Sequence, residues 1–319
     1  MFTLTYFLIE QMGWIVYNSL KMSRYFIGTA GWSYKDWEGI VYPEKKEPHF
    51  HSLTYLAQFT NVVEINSTFY KPPAMHIALS WTKRVISNPE FLFAVKLHQI
   101  FTHQRKEFTQ RDVDDFKFGI EPIRAKGKLA AILIQFPYSF ANTTAHHDYL
   151  SKLFNLFSGF PLAAEVRHGT WNHEHFFKLL EEHRVSFCNI DQPIIGNSLK
   201  PSSIATTPDL SYVRLHGRNY ENWFKKDAGR DDRYDYQYKS NELDGWVERI
   251  KELGNKSEKV LVITNNHYRG QALANALQIK NKITGDKLDI PLSLLKTYPL
   301  LKDIAEKIKS GQFDLFPKE

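Results

Sequence analysis

From Tyr25 onward, short apolar runs alternate with stretches of helical period. The runs fall at residues 25–28, 62–68, 91–97, 129–136, 162–167, 186–191, 212–216 and 259–265. Their length and apolar content suit strands buried in a parallel sheet. Helical stretches lie between them, at roughly 51–59, 77–87, 112–125, 146–157, 173–183 and 241–253, and a last one at 269–280 follows the eighth run. About eight β-α units in one chain predict an α/β fold, a (β/α)8 TIM barrel in a single domain. A doubly wound open sheet is the main competitor. No GxGxxG follows any strand, which counts against that alternative.

The barrel pattern spans residues 23–288. Residues 1–22 read as an N-terminal extension, apolar and aromatic but interrupted by Glu10, Gln11 and Gly13. That segment has neither the basic start and small-residue cleavage site of a signal peptide nor an unbroken membrane span. Met22 precedes the first clear strand and is a candidate translation start. Residues 289–319 read as a C-terminal helix and flexible tail. Over 298–310, Leu301, Ile304 and Ile308 share one face of an amphipathic helix, and Gly311 is its stop signal.

Composition narrows the class. The 319 residues are 43% hydrophobic, enough for a sizeable core. A single cysteine, Cys188, rules out an internal disulfide and a cysteine-based metal cluster, and fits a reducing, cytoplasmic setting. Cys188 sits on an apolar strand and reads as an inert core residue. The net charge of +6 weakly favours polyanionic partners, but no block of like charge stands out.

The chemistry gathers where the strands end. The second strand offers Glu64 and Asn66, the third Lys96 and then His98, the fourth Gln135. The fifth offers Glu165 and Arg167, the sixth Asn189 and Asp191. The seventh offers Arg214 and His216, the eighth Asn265, followed by Asn266 and His267. Residues two apart share a face of a strand, so this polar set is expected to point into the barrel mouth, where such enzymes place their sites. Lys96, Arg167 and Arg214 oppose Glu64, Glu165 and Asp191, a near balance. Either the cations grip a phosphate or carboxylate while a glutamate moves protons, or the set is a salt-bridge network that fills the barrel. Glu165, Asp191, His216 and His98 could ligate a metal, but no tight spacing such as HExxH supports it and the nearby cations oppose it. No other cofactor is called for.

Aromatics crowd the same end: Trp32, Tyr34, Trp37, Phe69, Tyr70 and Trp171. They either stack a base or sugar, or cap the core. Two connections are long, 192–211 and 217–239. The second holds Tyr220, Trp223, Phe224, Tyr234, Tyr236 and Tyr238 among balanced charges. It reads as a single-strand nucleic-acid surface or as a lid held by its own ion pairs.

Several motifs match a known family in order. Residues 28–37, GTAGWSYKDW, and 63–70, VEINSTFY, resemble the first two signatures of the YecE-like family, also called domain of unknown function 72. Residues 91–96 with Thr102 and His103 resemble the third. Glu165–Arg167 with Trp171, then 213–218, VRLHGR, and 265–267, NNH, complete the series. The resemblance implies a TIM barrel similar to those of endonuclease IV and xylose isomerase, and no settled activity. The histidine- and carboxylate-rich metal set of endonuclease IV is not evident.

At the tail, Gln312-Phe313-Asp314-Leu315-Phe316 resembles the pentapeptide that docks repair proteins on the DNA sliding clamp. In that mode Gln312 hydrogen-bonds while Leu315 and Phe316 fill an apolar pocket. The alternative is that Phe313 and Phe316 pack on the barrel.

The residues together support an enzyme acting on a phosphorylated or nucleic-acid-derived ligand. Lys96, Arg167 and Arg214 would hold the anion. Glu64 or Glu165 would act as base and His216 as acid or partner. Asn66, Tyr70, Gln135, Trp171, Asp191, Asn265, Asn266, His267, Trp32 and Tyr34 would complete the binding surface. The alternative is a non-catalytic DNA- or clamp-associated factor. No membrane role is expected.

Overall fold

The structure is a computed structural model that describes residues 25–105, 107–225, 227 and 229–306. Eight parallel strands close on themselves in chain order: β1 Tyr25–Ala30, β2 Val62–Ile65, β3 Leu92–Lys96, β4 Leu129–Gln135, β5 Leu162–Glu165, β6 Val185–Asp191, β7 Leu210–Leu215 and β8 Lys259–Thr264. The β1–β8 register, from Tyr25↔Val260 to Thr29↔Thr264, seals the barrel. All eight runs expected from the sequence are strands, and the expected TIM barrel is the fold.

Helices cover the outside. The seven expected stretches appear as Ser52–Leu56, Met75–Arg84, Gln110–Ala125, Thr144–Leu156, Glu174–Glu182, Ser240–Gly254 and Gln271–Thr284. Sequence caps fix several starts. Thr109 accepts from Asp112 N while Asp112 accepts from Thr109 N, a reciprocal box at the start of Gln110–Ala125. Gly28 lets β1 approach β2, since a Cβ there would lie 1.8 Å from Val62 O.

No helix separates β6 from β7. The extended segment 192–209 takes that place, pinned by Asn189, which accepts from Ile204 N and donates to Ile204 O, each at 2.9 Å. Thr206 also donates to Val185 O at 2.7 Å.

The C-terminal expectation needs correction. Leu292–Thr297 is a short α-helix, and Pro299–Ile304 forms a 3-10 helix in place of the start of the predicted α-helix. Proline opens that turn, and the chain then runs extended, where Leu288 N bonds Ile304 O and Glu306 N bonds Leu288 O, each at 2.9 Å. Leu301 is buried as its pattern implied, but by docking of a tight turn. Ile308, the pentapeptide 312–316 with Gln312, Leu315 and Phe316, and residues 1–22 lie outside the described residues. Among the described residues no helix is long and apolar enough to cross a membrane.

Candidate active site at the barrel mouth

A cavity of about 390 Å3 opens at the carboxyl ends of the strands. Of the residues picked from the sequence, Trp32, Tyr34, Asn66, Tyr70 and Lys96 line it, as do Gln135, Arg214, Asn265 and His267. Asn66 reaches it from just beyond β2, in helical backbone (φ −82°, ψ −23°) that leads into a 3-10 turn, rather than from the strand itself.

Beneath the cavity lies a buried ionic layer. Arg214 is its hub. One guanidinium nitrogen donates to Glu165 at 2.5 Å and to Gln135 Oε1 at 3.1 Å, and the other donates to Glu64 at 2.6 Å. Tyr212 donates to the second oxygen of Glu64 at 2.8 Å. Arg167 grips Glu165 Oε1 through Nε at 3.0 Å and Nη2 at 2.9 Å. Glu64, Glu165 and His216 are each 0% exposed, and none borders the cavity. A carboxylate buried in an apolar strand is costly when alone, and here Glu64 and Glu165 are both paired inside the fold.

Burial alone would raise Glu165. Arg214, His216 and Arg167 outweigh it and hold the carboxyl well below its usual range. Burial pushes His216 down to about 3, so its imidazole is neutral near pH 7. Its Nε2 lies 3.2 Å from Glu165 and its Nδ1 3.0 Å from Asn265 Nδ2. The consistent tautomer carries the proton on Nε2, donating to Glu165, while Nδ1 accepts from Asn265.

Lys96 stands apart from this layer. Its ammonium lies 4.1 Å from the centre of the Phe69 ring, and no carboxylate lies within ion-pair distance of it among the described residues. Burial, then Arg214, pushes Lys96 down to about 7, with Glu64 and Glu165 opposing. His103 sits beside it against Phe69 and is pushed down to about 4, by burial and then by Lys96.

Four expected positions lie elsewhere. Asp191 faces the helices rather than the mouth, gripped by Arg218 Nε at 2.9 Å beside Tyr238 and Trp246. Asn189 shares that outer face, while Cys188 points inward, 4.0 Å from Glu165. The alternation on β6 misleads because every residue of the strand is buried, so polarity does not mark the inner side. Asn266 bonds Tyr236 O and Asn275, each at 2.8 Å, also outside the barrel. Trp171 is fully buried, stacked on Phe140 and donating to Phe140 O at 2.6 Å, and so caps the core. Without Asp191 the proposed ligand set is not assembled. Among the described residues no group of three or more His, Cys, Asp or Glu is placed to hold a metal ion.

The described residues of the long connection 217–239 fold over the mouth. Gly217 opens it at φ +90°, and its amide donates to Tyr238 at 2.9 Å. Trp223 lies 6.1 Å from His216, with the Arg167 guanidinium 5.6 Å from its ring. Tyr234, on the short helix Arg230–Tyr234, packs on Trp223 and on His267 and lines the cavity. Tyr220 and Phe224 stay exposed. The connection is therefore a roof. Arg218 ties it to Asp191 and Glu242, charges outside the loop, rather than to its own acids.

Sequence reasoning missed Tyr212 and Tyr234 as site residues. Tyr212 precedes Arg214 by two and shares its face, so the same spacing rule could have found it. Tyr234 had no signal beyond its place in an aromatic run.

The match to known proteins follows this geometry. A family model described as "Protein of unknown function DUF72" matches residues 26–296. The chain belongs to the DUF72 family. It is 33% identical over 272 residues to the UPF0759 protein YunF of Bacillus subtilis, covering 80% of this chain and 93% of that protein. A solved DUF72 protein of Thermotoga maritima is 34% identical, with a TM-score of 0.72 over 82% of this chain and 99% of its own. Another, from Enterococcus faecalis, is 26% identical, with a TM-score of 0.73 over 83% and 97%. The DUF72 match covers every strand end that builds the mouth.

Proposed function

We propose that this DUF72 barrel binds a small anionic ligand, phosphorylated or derived from nucleic acid, and acts on it by acid–base chemistry at the mouth. The observation that carries this is Lys96, a cation with no carboxylate partner among the described residues, lining the cavity. Once Asp191 is assigned to the helix side, the inward strand ends hold three cations, Lys96, Arg167 and Arg214, against two carboxylates, Glu64 and Glu165. A protonated Lys96 therefore leaves one positive charge for an anion to neutralise.

The roles divide by depth. Glu64 and Glu165 are positioning residues that hold Arg214 with one edge on the cavity. His216 and Arg167 brace Glu165 from the other side. Lys96, at about 7, is the group suited to exchange a proton near neutrality. Tyr34, stacked on His267 at 4.5 Å, and Tyr234 line the cavity and are the rings that a planar ligand would meet there.

Calorimetric titration with inorganic phosphate and nucleoside monophosphates tests the reading. The expected result is binding that weakens about tenfold in Lys96→Met, equivalent to about 1.4 kcal/mol. Equal affinity in both proteins, or no binding by either, would overturn it.

A further inference from the structure

We infer that Lys96 is a nucleophile that forms an imine with an aldehyde or ketone bearing an anionic group. The inference rests on the anion-binding reading of the same cavity and names the substrate class within it. Three features of the site carry it.

The first is access. Lys96 ends β3 at the cavity wall, half-buried, with its nitrogen over the Phe69 ring. No ion pair to a carboxylate restrains it among the described residues. An amine in that position can turn toward a ligand at little cost.

The second is the company it keeps. Arg214 and Arg167 stand near it, while Glu64 and Glu165 are held by those arginines. Neighbouring cations and burial are the two means by which proteins keep a lysine amine unprotonated and reactive. Burial pushes Lys96 down to about 7, so near neutral pH a large share of the nitrogens carry a free electron pair.

The third is a set of donors for the oxygen that must change. Gln135 uses its Oε1 to accept from Arg214, and its Nε2 makes no hydrogen bond to the described residues. The Asn66 side chain is likewise without a protein partner among them. Both amides line the cavity with Lys96. They are suited to donate to an oxygen that gains charge as the amine attacks.

The step balances without an oxidant or reductant. The Lys96 nitrogen lone pair forms a bond to the carbonyl carbon, and the C=O π pair moves to oxygen. Water takes a proton from nitrogen and returns one to oxygen, giving a carbinolamine. A second proton, taken up from solvent, lets that oxygen leave as water, and the nitrogen lone pair closes the C=N bond. The product is an iminium, which keeps one positive charge at this position. An anionic group on the substrate then neutralises the same charge that a protonated Lys96 would carry. This is why the two requirements, a carbonyl and an anion, belong to one ligand.

The probe is pyridoxal 5′-phosphate, which joins an aldehyde to a phosphate, with pyridoxal as the uncharged comparison. The full-length protein is treated near pH 7, reduced with borohydride, and mapped by peptide mass. The expected result is a reduced adduct on Lys96, formed at least ~10-fold faster than on the exposed Lys83, since each pKa unit changes the free-amine fraction about tenfold. Inorganic phosphate slows the labelling, and pyridoxal labels Lys96 more slowly. Lys96→Arg, which keeps the charge and removes the nucleophile, loses the adduct, with circular dichroism confirming its fold. Labelling of the wild-type protein at Lys96 no faster than at Lys83 would overturn the inference, whatever the variant does. Phosphate binding without a Lys96 adduct removes the nucleophile and leaves the anion site. A Lys96 adduct formed equally with both aldehydes, without phosphate binding, supports the nucleophile and removes the anion reading.

Discussion

Arg214 Nη2 lies 2.6 Å from Glu64 Oε1, though the two residues stand on β7 and β2 and are 150 positions apart. With Glu165 and Gln135 on its other arm, Arg214 joins four strands, β2, β4, β5 and β7, through one planar group. A guanidinium can do this because its donors are fixed in a fork.

Removing the hub leaves two buried carboxylates without their cation. Arg214→Met is expected to cost about 3–5 kcal/mol. Glu64→Gln removes a charge but keeps an acceptor for Tyr212, and should cost less, about 1–3 kcal/mol. Urea midpoints check both values. A larger loss for Glu64→Gln than for Arg214→Met would contradict the hub role.

Lys96 should leave a mark on the pH dependence of stability. The unfolded lysine titrates near 10.5 and the folded one near 7. Between these values the unfolded chain holds a proton that the folded chain has shed, so rising pH favours the folded state. Stability of the ligand-free protein relative to Lys96→Met is expected to rise from about pH 7 to 10. Urea unfolding across that range reads the difference, and a flat difference would argue against an empty, unpaired lysine.

His216 acts in the acid range and in the same sense. Its folded value of about 3 lies below the ordinary 6.5, so only the unfolded chain takes up the proton between them. Stability from this group is full above about 6.5 and is lost as pH falls toward 3. Glu165, held well below its ordinary value, loses its contribution as pH falls below the usual carboxylate range. His216→Gln is expected to flatten the part of the acid limb between about pH 6.5 and 4.5. Retention of the full wild-type slope would show that other groups cause it.

The roof should matter more to a ringed ligand than to a bare anion. Tyr234→Ala is expected to weaken a nucleoside monophosphate by about 1 kcal/mol, roughly fivefold, while leaving inorganic phosphate nearly unchanged. Calorimetry on the two ligands makes the comparison. Equal losses for both would mean that Tyr234 shapes the mouth rather than stacking.

Much of the barrel was legible because strands buried between helices stand out as short apolar runs, and all eight did so. The polar ends of β2, β3, β4, β5 and β7 were legible for a related reason. Glu64, Lys96, Gln135, Glu165 and Arg214 are out of place in such runs unless they are paired or used. The side on which β6 shows Asp191 was not legible, since both faces of that strand are buried. Nor was the burial of Trp171, which depends on Phe140 and Phe176 from other segments.

The sequence alone determined the order of the eight strands and of the helices between them, and the polar residues at the strand ends, because each follows from local periodicity and from the cost of burying charge, whereas closure of the sheet rests on the pairing of β1 with β8. Tertiary structure alone decided which charges meet. Arg214 reaches Glu64 and Glu165, Arg218 removes Asp191 from the mouth, and Lys96 is left without a carboxylate among the described residues. Pairing depends on contacts of 2.5–2.9 Å between side chains far apart in the chain, and a sequence carries no such distances.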